Sequence, residues 1–224
     1  MTTTGSRPPL EVRVTKSLLG YGVIAGPIYL VVVAAQALTR KGFDPTRHAA
    51  SQLANGDLGW IQIANFVVTG AMTVAAAVGV RRALRRGRGA TWGAWLIGGY
   101  GAALIAAAAF RADPSDGFPP GTPEGIGEVS WHGVAHLACA GAGFVCLVAT
   151  CFVLAARFAR DGQPGWAWYS RLTAIVFAAS FVAIGSGSGG RPGIVVFTMA
   201  VVLAWAWLSA ISVKLYREAG RGCA

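Results

Sequence analysis

Two histidines four residues apart, His132 and His136, stand in the stretch GEVSWHGVAHLACAGAGF at residues 127–144, where an apolar run begins. On a helix this spacing places both imidazoles on one face, with about 5–6 Å between them, close enough to share a ligand. Zinc suits such a pair, since it takes imidazole nitrogens at about 2.0–2.1 Å and completes a tetrahedron with further ligands. The third histidine, His48, and the carboxylates of Asp113 and Asp116 are the available partners, while Ser51 or Ser130 can hold a bound water. The candidate metal ligands are therefore His132, His136 and His48, with Asp113 and Ser51 as candidate catalytic groups. A second reading stays open. The pair lacks the glutamate of the H-E-x-x-H protease motif, and on this reading His132 lies in the headgroup layer while His136 hydrogen-bonds a neighbouring helix.

Three arginines, Arg47, Arg111 and Arg191, are the candidate substrate contacts. Asp44-Pro45 reads as a turn before a short helix whose Arg47, His48 and Ser51 share a polar face. Arg47 there either clamps a carboxylate or phosphate or pairs with Asp44 or Asp57. In AFRADPSD, Pro114 ends a helix and Arg111 pairs with an acid, so a structural cap accounts for Asp113 about as well as catalysis does. Residues 185–190, GSGSGG, match G-x-G-x-x-G in form only, because they follow an apolar span rather than a strand. They read as a flexible turn, with Arg191 beside it as an anion contact.

What positions these residues follows from composition. The chain of 224 residues is 54% hydrophobic, 12% charged and contains 31 glycines; its mean hydropathy of +0.55 is that of a membrane protein. A bilayer core about 30 Å thick needs roughly 20 apolar residues per helical crossing. Six stretches qualify, at about 17–38, 58–80, 91–110, 132–156, 166–185 and 193–214. The fifth spans only if Trp166, Trp168 and Tyr169 form its interfacial end. Lipid cannot hydrogen-bond a backbone, so these runs are expected to be helices. The expected fold is all-α, one six-helix transmembrane domain over 17–214, with tails at 1–16 and 215–224. Gly20, Gly22 and Gly26, with Gly98, Gly99 and Gly101, are expected to let helices approach closely.

The net charge of +10 reads as a record of orientation rather than as a nucleic-acid surface. With a cytoplasmic N-terminus, inner segments hold Arg7, Arg13, Lys16, the run Arg81, Arg82, Arg85, Arg86 and Arg88, then Arg157, Arg160, Arg171, and Lys214, Arg217 and Arg221. Outer loops keep Arg40, Lys41, Arg47, Arg111 and Arg191, along with six of the nine acids. The positive-inside rule then puts both termini in the cytoplasm of a cell (inner) membrane. Trp60 and Trp131 fall at outer boundaries, and Trp92, Trp95, Trp166 and Trp168 at inner ones, as the headgroup preference of indole requires. Ala35-Gln36-Ala37 resembles a signal-peptidase site, but the apolar run from Leu18 to Ala34 exceeds a usual signal core. Cys139, Cys146, Cys151 and Cys223 lack C-x-x-C spacing and read as small packing residues.

The segment DPTRHAASQLANGDLGWIQIANFVVTG, the Asp-Pro after the third span and SWHGVAH opening the fourth resemble the bacterial six-helix membrane proteins of domain-of-unknown-function family 998. The resemblance covers roughly residues 17–214 and implies a six-helix bundle; it implies no activity. The inventory Ser51, Asp113, His48, His132 and His136 is also similar to that of alkaline ceramidases and adiponectin-receptor-like membrane hydrolases, which hold zinc. Here, however, there are six spans rather than seven, and the histidine pair opens the fourth span instead of lying in the last. The expected function is an outward-facing site for a lipid or amphipathic small molecule, used by a metal-dependent hydrolase. The alternatives are a transporter or lipid-handling protein, or a noncatalytic membrane partner of another protein. A transporter commonly shows an internal repeat, and none is evident.

Overall fold

The computed structural model describes residues 9–125, 127–186 and 190–219. Six helices account for most of it: α1 (Leu10–Thr39), α2 (Gly59–Leu84), α3 (Arg88–Ala109), α4 (Trp131–Arg160), α5 (Pro164–Gly185) and α6 (Gly190–Glu218). A single 3-10 turn, Ala50–Ala54, lies between α1 and α2. Each helix is long and apolar enough to cross a membrane. At 1.5 Å per residue, even the 22-residue α3 and α5 reach about 33 Å, slightly more than the hydrocarbon thickness. The fifth span, whose apolar part is short, completes its length with Trp166, Trp168 and Tyr169 inside α5. Helices α1 and α6 run beyond the apolar stretches, starting at Leu10 and ending at Glu218, because a helix does not stop where its residues turn polar.

The helices pack in chain order, α1 on α2, α2 on α3 and so on to α5 on α6, and α6 returns to α1 to close a ring. Close approach depends on missing side chains. A β-carbon on Gly101 would lie 2.7 Å from the Gly70 carbonyl, and one on Gly70 equally close to that of Gly101, so α2 and α3 meet backbone to backbone. Gly22 and Gly26 do the same for α1 against Ser212, Ser209 and Trp205 of α6. Gly20 differs from the sequence expectation: it faces open space, and Gly98 makes only an ordinary contact.

Across the ring, the buried Trp205 of α6 stands 5.0 Å from Tyr29 and 5.8 Å from Tyr100, ring centre to ring centre. Trp207, also buried, donates its indole N–H to Ser170 Oγ at 2.9 Å. The packing is uneven along the membrane normal. In α4 before Gly143, α5 after Phe177 and α6 before Ala200, the buried described residues are only Gly133, His136, Ser180 and Gly193. The opposite halves are more densely buried, while toward the loop-bearing end α4, α5 and α6 meet mainly through the rings of Phe144, Phe177, Phe181 and Phe197. Exposed side chains such as Val31, Leu38, Leu137 and Val182 face where lipid tails would lie.

The orientation expected from the charge pattern can be checked directly. In a cysteine-free background, Glu128→Cys and Gly165→Cys lie at exposed positions on opposite ends of the bundle. A membrane-impermeant thiol reagent added to intact cells should label Glu128→Cys and spare Gly165→Cys until the membrane is opened. The reverse pattern would invert the topology.

Candidate functional site

The polar residues of the first long loop (40–58) and the second (110–130) interlock rather than project into solvent. His48 is buried. Its Nδ1 accepts from the Asp44 amide at 2.9 Å, so Nε2 carries the proton and donates it to the Asp116 carbonyl at 3.0 Å. Phe43 and Phe118 flank the ring at 5.4 and 5.5 Å. Asn55 donates to the Ala112 carbonyl, and the Gln52 amide to Ser115 Oγ. Arg40 donates to the carbonyls of Leu53 and Asn55 and lies over the Phe118 ring. Partial burial pushes the Arg40 guanidinium below its ordinary range, with nearby Asp57 acting in the opposite sense. The side-chain hydroxyl and amide of Thr46 hold the Asp44 carboxyl below the usual carboxylate range.

Arg47 pairs with Glu124 and approaches Asp116 at 4.0 Å. The sequence suggested Asp44 or Asp57 as its partner; the fold brings the second loop against it instead. The short helix expected to carry Arg47, His48 and Ser51 is the 3-10 turn Ala50–Ala54, which includes Ser51 but begins after the other two.

Asp113 caps α4. One carboxylate oxygen accepts from the Ser130 amide at 2.9 Å and the other from Ser130 Oγ at 2.5 Å; Oγ in turn accepts from the Gly133 amide at 3.1 Å. Serine at the N-cap satisfies one of the free amides of the first turn, and the carboxylate lies where the helix dipole is positive. Gly133 makes room for this, since a β-carbon there would lie 1.9 Å from Asp113 Oδ2. Asp113 thus caps the start of α4, not the end of α3, and the expected pairing of Arg111 with an acid is not found among the described residues.

The two histidines of α4 part company. His136 is buried, and its Nδ1–H is shared between the carbonyls of Phe110 at 2.8 Å and Ala107 at 3.1 Å, at the end of α3. In the neutral ring this leaves the lone pair on Nε2. His132 is exposed and packs 3.6 Å from Trp131, centre to centre. His136 therefore hydrogen-bonds the neighbouring helix α3, as the second reading expects, while His132 is exposed on the first turn of α4. Among the described residues no three His, Cys, Asp or Glu side chains form a metal-holding group. Zinc ligation by His48 would also require one of its ring nitrogens to leave its present partner. The residues present do not fit a three-histidine zinc centre.

Arg111 and Arg191 are exposed. Arg191 lies near enough to Asp44 to contribute to its lowered pKa. Of GSGSGG, residues 187–189 lie outside the described residues, as do Arg7, Arg221 and Cys223.

Sequence reasoning missed a group of amides just beneath this loop cap. Gln36 of α1 donates to Gln62 Oε1 at 2.9 Å, and Asn65 donates both to Gln62 Oε1 and to the Tyr29 carbonyl at 3.3 Å. All three are buried, yet among the described residues Gln36 Oε1, Asn65 Oδ1 and the nearby Trp205 Nε1 have no partner, and Gln62 Nε2 has only a poorly formed contact with the Tyr29 hydroxyl. The signal was present in WIQIANFVVTG, where Gln62 and Asn65 interrupt an apolar run at i, i+3. Thr69 and Thr73 extend the same buried face of α2, their hydroxyls donating to carbonyls one turn back.

Replacing Asp113 by Ala should destabilise the protein by about 1–3 kcal/mol, the cost of stranding partners in a part-buried hydrogen-bonded cap. Gly133→Ala should destabilise it too, and by less when Asp113 is already Ala, because the clash is with that carboxylate. Thermal unfolding in detergent, followed by tryptophan fluorescence, reads both. Wild-type unfolding of Asp113→Ala would contradict the cap and return Asp113 to the catalytic candidates.

The chain matches the model of a family described as "Protein of unknown function (DUF998)" over residues 23–214. No curated protein and no solved structure matches the chain.

Proposed function

The chain belongs to the DUF998 family of integral membrane proteins, and we propose that it binds the polar part of a lipid or amphipathic small molecule beneath its loop cap. The observation that carries this reading is the set of unpartnered buried polar atoms on Gln36, Asn65 and Trp205. A buried donor or acceptor left unpaired costs roughly 1–3 kcal/mol, and polar groups retained inside a membrane bundle mark functional positions. Three such atoms on α1, α2 and α6 offer a donor and acceptors to a hydroxyl, ester or amide. His136 Nε2 adds an acceptor near the same level, with Phe66 standing 6.5 Å from its ring.

Access from the bilayer is supported by the sparse burial of α4, α5 and α6 in this half of the bundle, where half-buried Phe144, Phe181 and Phe197 pack on one another and on Phe177 across the three helices. An acyl chain entering there brings its polar end toward the amides. On this reading the outer loops serve as a rigid lid: His48, Asp113 and Arg47 hold the lid together and do not act on the ligand. Hydrolysis through a shared zinc draws no support from the arrangement. Transport is favoured by one observation, the continuation of the polar face of α2 through Thr69 and Thr73 toward the middle of the bundle.

The test uses a phospholipid with a photoactivatable diazirine near its headgroup. Irradiation of the wild-type protein should label peptides containing Gln36 or Gln62–Asn65, and Gln62→Leu/Asn65→Leu should lose about tenfold of that labelling, as the loss of one or two hydrogen bonds predicts. The double variant should remain folded, because apolar residues of similar size relieve unpaired groups. Equal labelling of a folded double variant would sink the proposal.

A further inference from the structure

At the end of the bundle opposite the loop cap, a cavity of about 550 Å³ opens between the start of α1 and the end of α2. Glu11 and Thr15 line it from α1, Arg81, Arg82 and Ala83 from α2, and Arg85 from the turn beyond. A smaller cavity of about 200 Å³ adjoins it, sharing Ala83 and Arg85. In the smaller one Arg157 pairs with Asp161 and Lys214 with Glu218, which leaves only the shared Arg85 over. The larger carries a greater excess of positive charge. Three guanidiniums face one carboxylate, and among the described residues Arg81, Arg82 and Arg85 belong to no ion pair.

Arginines at the end of a helix have a simple account, since they complement the negative end of its dipole. That account covers Arg81 and Arg82. It leaves Arg85, whose φ of 54° and ψ of −63° place a residue with a β-carbon in a tight-turn conformation that is rare and strained. The Arg86 amide closes the turn onto the Leu84 carbonyl at 2.6 Å. Arg81 Nη1 donates to the Arg85 carbonyl, and Arg157 Nη1 to the Arg86 carbonyl, so two side chains pin the strained turn. Such strain persists where surrounding structure enforces it, and it concentrates at ligand clamps. Arg82 is held as well: its Nε donates to Thr15 Oγ1 at 3.1 Å, and that hydroxyl donates to the Glu11 carbonyl.

We propose that this cavity binds the phosphate of an anionic phospholipid headgroup. Guanidiniums recognise phosphate oxygens through paired, charge-assisted hydrogen bonds, and a volume of this size accommodates a small ligand. The depth is that of the headgroup layer. Exposed Trp92, Trp95, Trp168 and Tyr216 lie toward the same end, and such aromatics gather at the membrane interface. The cavity walls are helix ends, so a lipid can seat its phosphate here while its tails stay in the bilayer alongside α1 and α2.

The experiment measures thermal unfolding of the purified full chain in an uncharged detergent, titrated with short-chain phosphatidylglycerol, short-chain phosphatidylcholine or inorganic phosphate. Phosphatidylglycerol should raise the midpoint saturably, and the other two at equal concentration should leave it unchanged. Arg82→Gln/Arg85→Gln should raise the half-saturating concentration about tenfold, the effect of losing a charge-assisted contact. Ala83→Phe, which occupies the cavity with every charge in place, should weaken binding similarly, and Glu11→Gln should tighten it. Wild-type binding by a folded Ala83→Phe overturns the proposal, as does a phosphatidylcholine response equal to that of phosphatidylglycerol. A response to inorganic phosphate alone that matches phosphatidylglycerol overturns the lipid assignment. Should Ala83→Phe fail to fold, Glu11→Gln decides: tighter binding supports the site, and unchanged binding overturns it.

Discussion

A peptide group without a partner in hydrocarbon costs several kcal/mol, because no water is there to take its place. Six helices that pair their own backbones meet this demand for most of the chain. Difficulty arises where helices stop, since each end leaves four amides or four carbonyls unpaired. At the loop-bearing end the protein meets the demand with side chains: Asp113 and Ser130 for the first turn of α4, His136 for the carbonyls ending α3, Arg40 for those of the 3-10 turn. The residues that look most chemical in the sequence are thus largely occupied with backbone.

The same constraint explains why the two long loops form one unit. A loop lying at the membrane boundary cannot rely on bulk water for every polar group, so the first loop supplies donors and acceptors to the second. His48 spans the two, taking an amide from its own loop and giving its proton to a carbonyl of the other. Arg47 adds charge pairing with Glu124, and Phe43 against Phe118 supplies apolar contact beneath. Against this background the amides of Gln36 and Asn65 stand apart, because part of their hydrogen-bonding capacity is unused where leaving it unused is costly.

The fold was legible in the sequence because a hydrocarbon slab of fixed thickness demands runs of fixed length, and all six runs became helices. Helix ends were less legible: Leu10 to Lys16 and Leu215 to Glu218 remain helical although polar, since termination depends on caps and not on hydropathy. At the candidate site, residue types showed that polar groups gather at one end. They did not show partners, because the Asp116, Phe110 and Ala107 carbonyls that engage His48 and His136 are backbone atoms, invisible to residue identity. The spacing of His132 and His136 implied a shared face; a helix face is wide enough that one points between helices and the other outward. Gln62 and Asn65 were readable as interruptions of an apolar run, yet amides carry no distinctive motif and drew less notice than histidines.

In the proposed function, the unpaired amides below the lid hold the polar part of a bound amphipathic molecule. An experimental density map of the protein in a lipid bilayer disc, fine enough to show ordered water, tests this most directly. Elongated non-protein density should run from the sparsely buried half of α4, α5 and α6 and end within hydrogen-bond distance of Gln36 Oε1 and Asn65 Oδ1. Amides paired with one another or with isolated waters alone, and lipid tails confined to the outside of the ring, would contradict it.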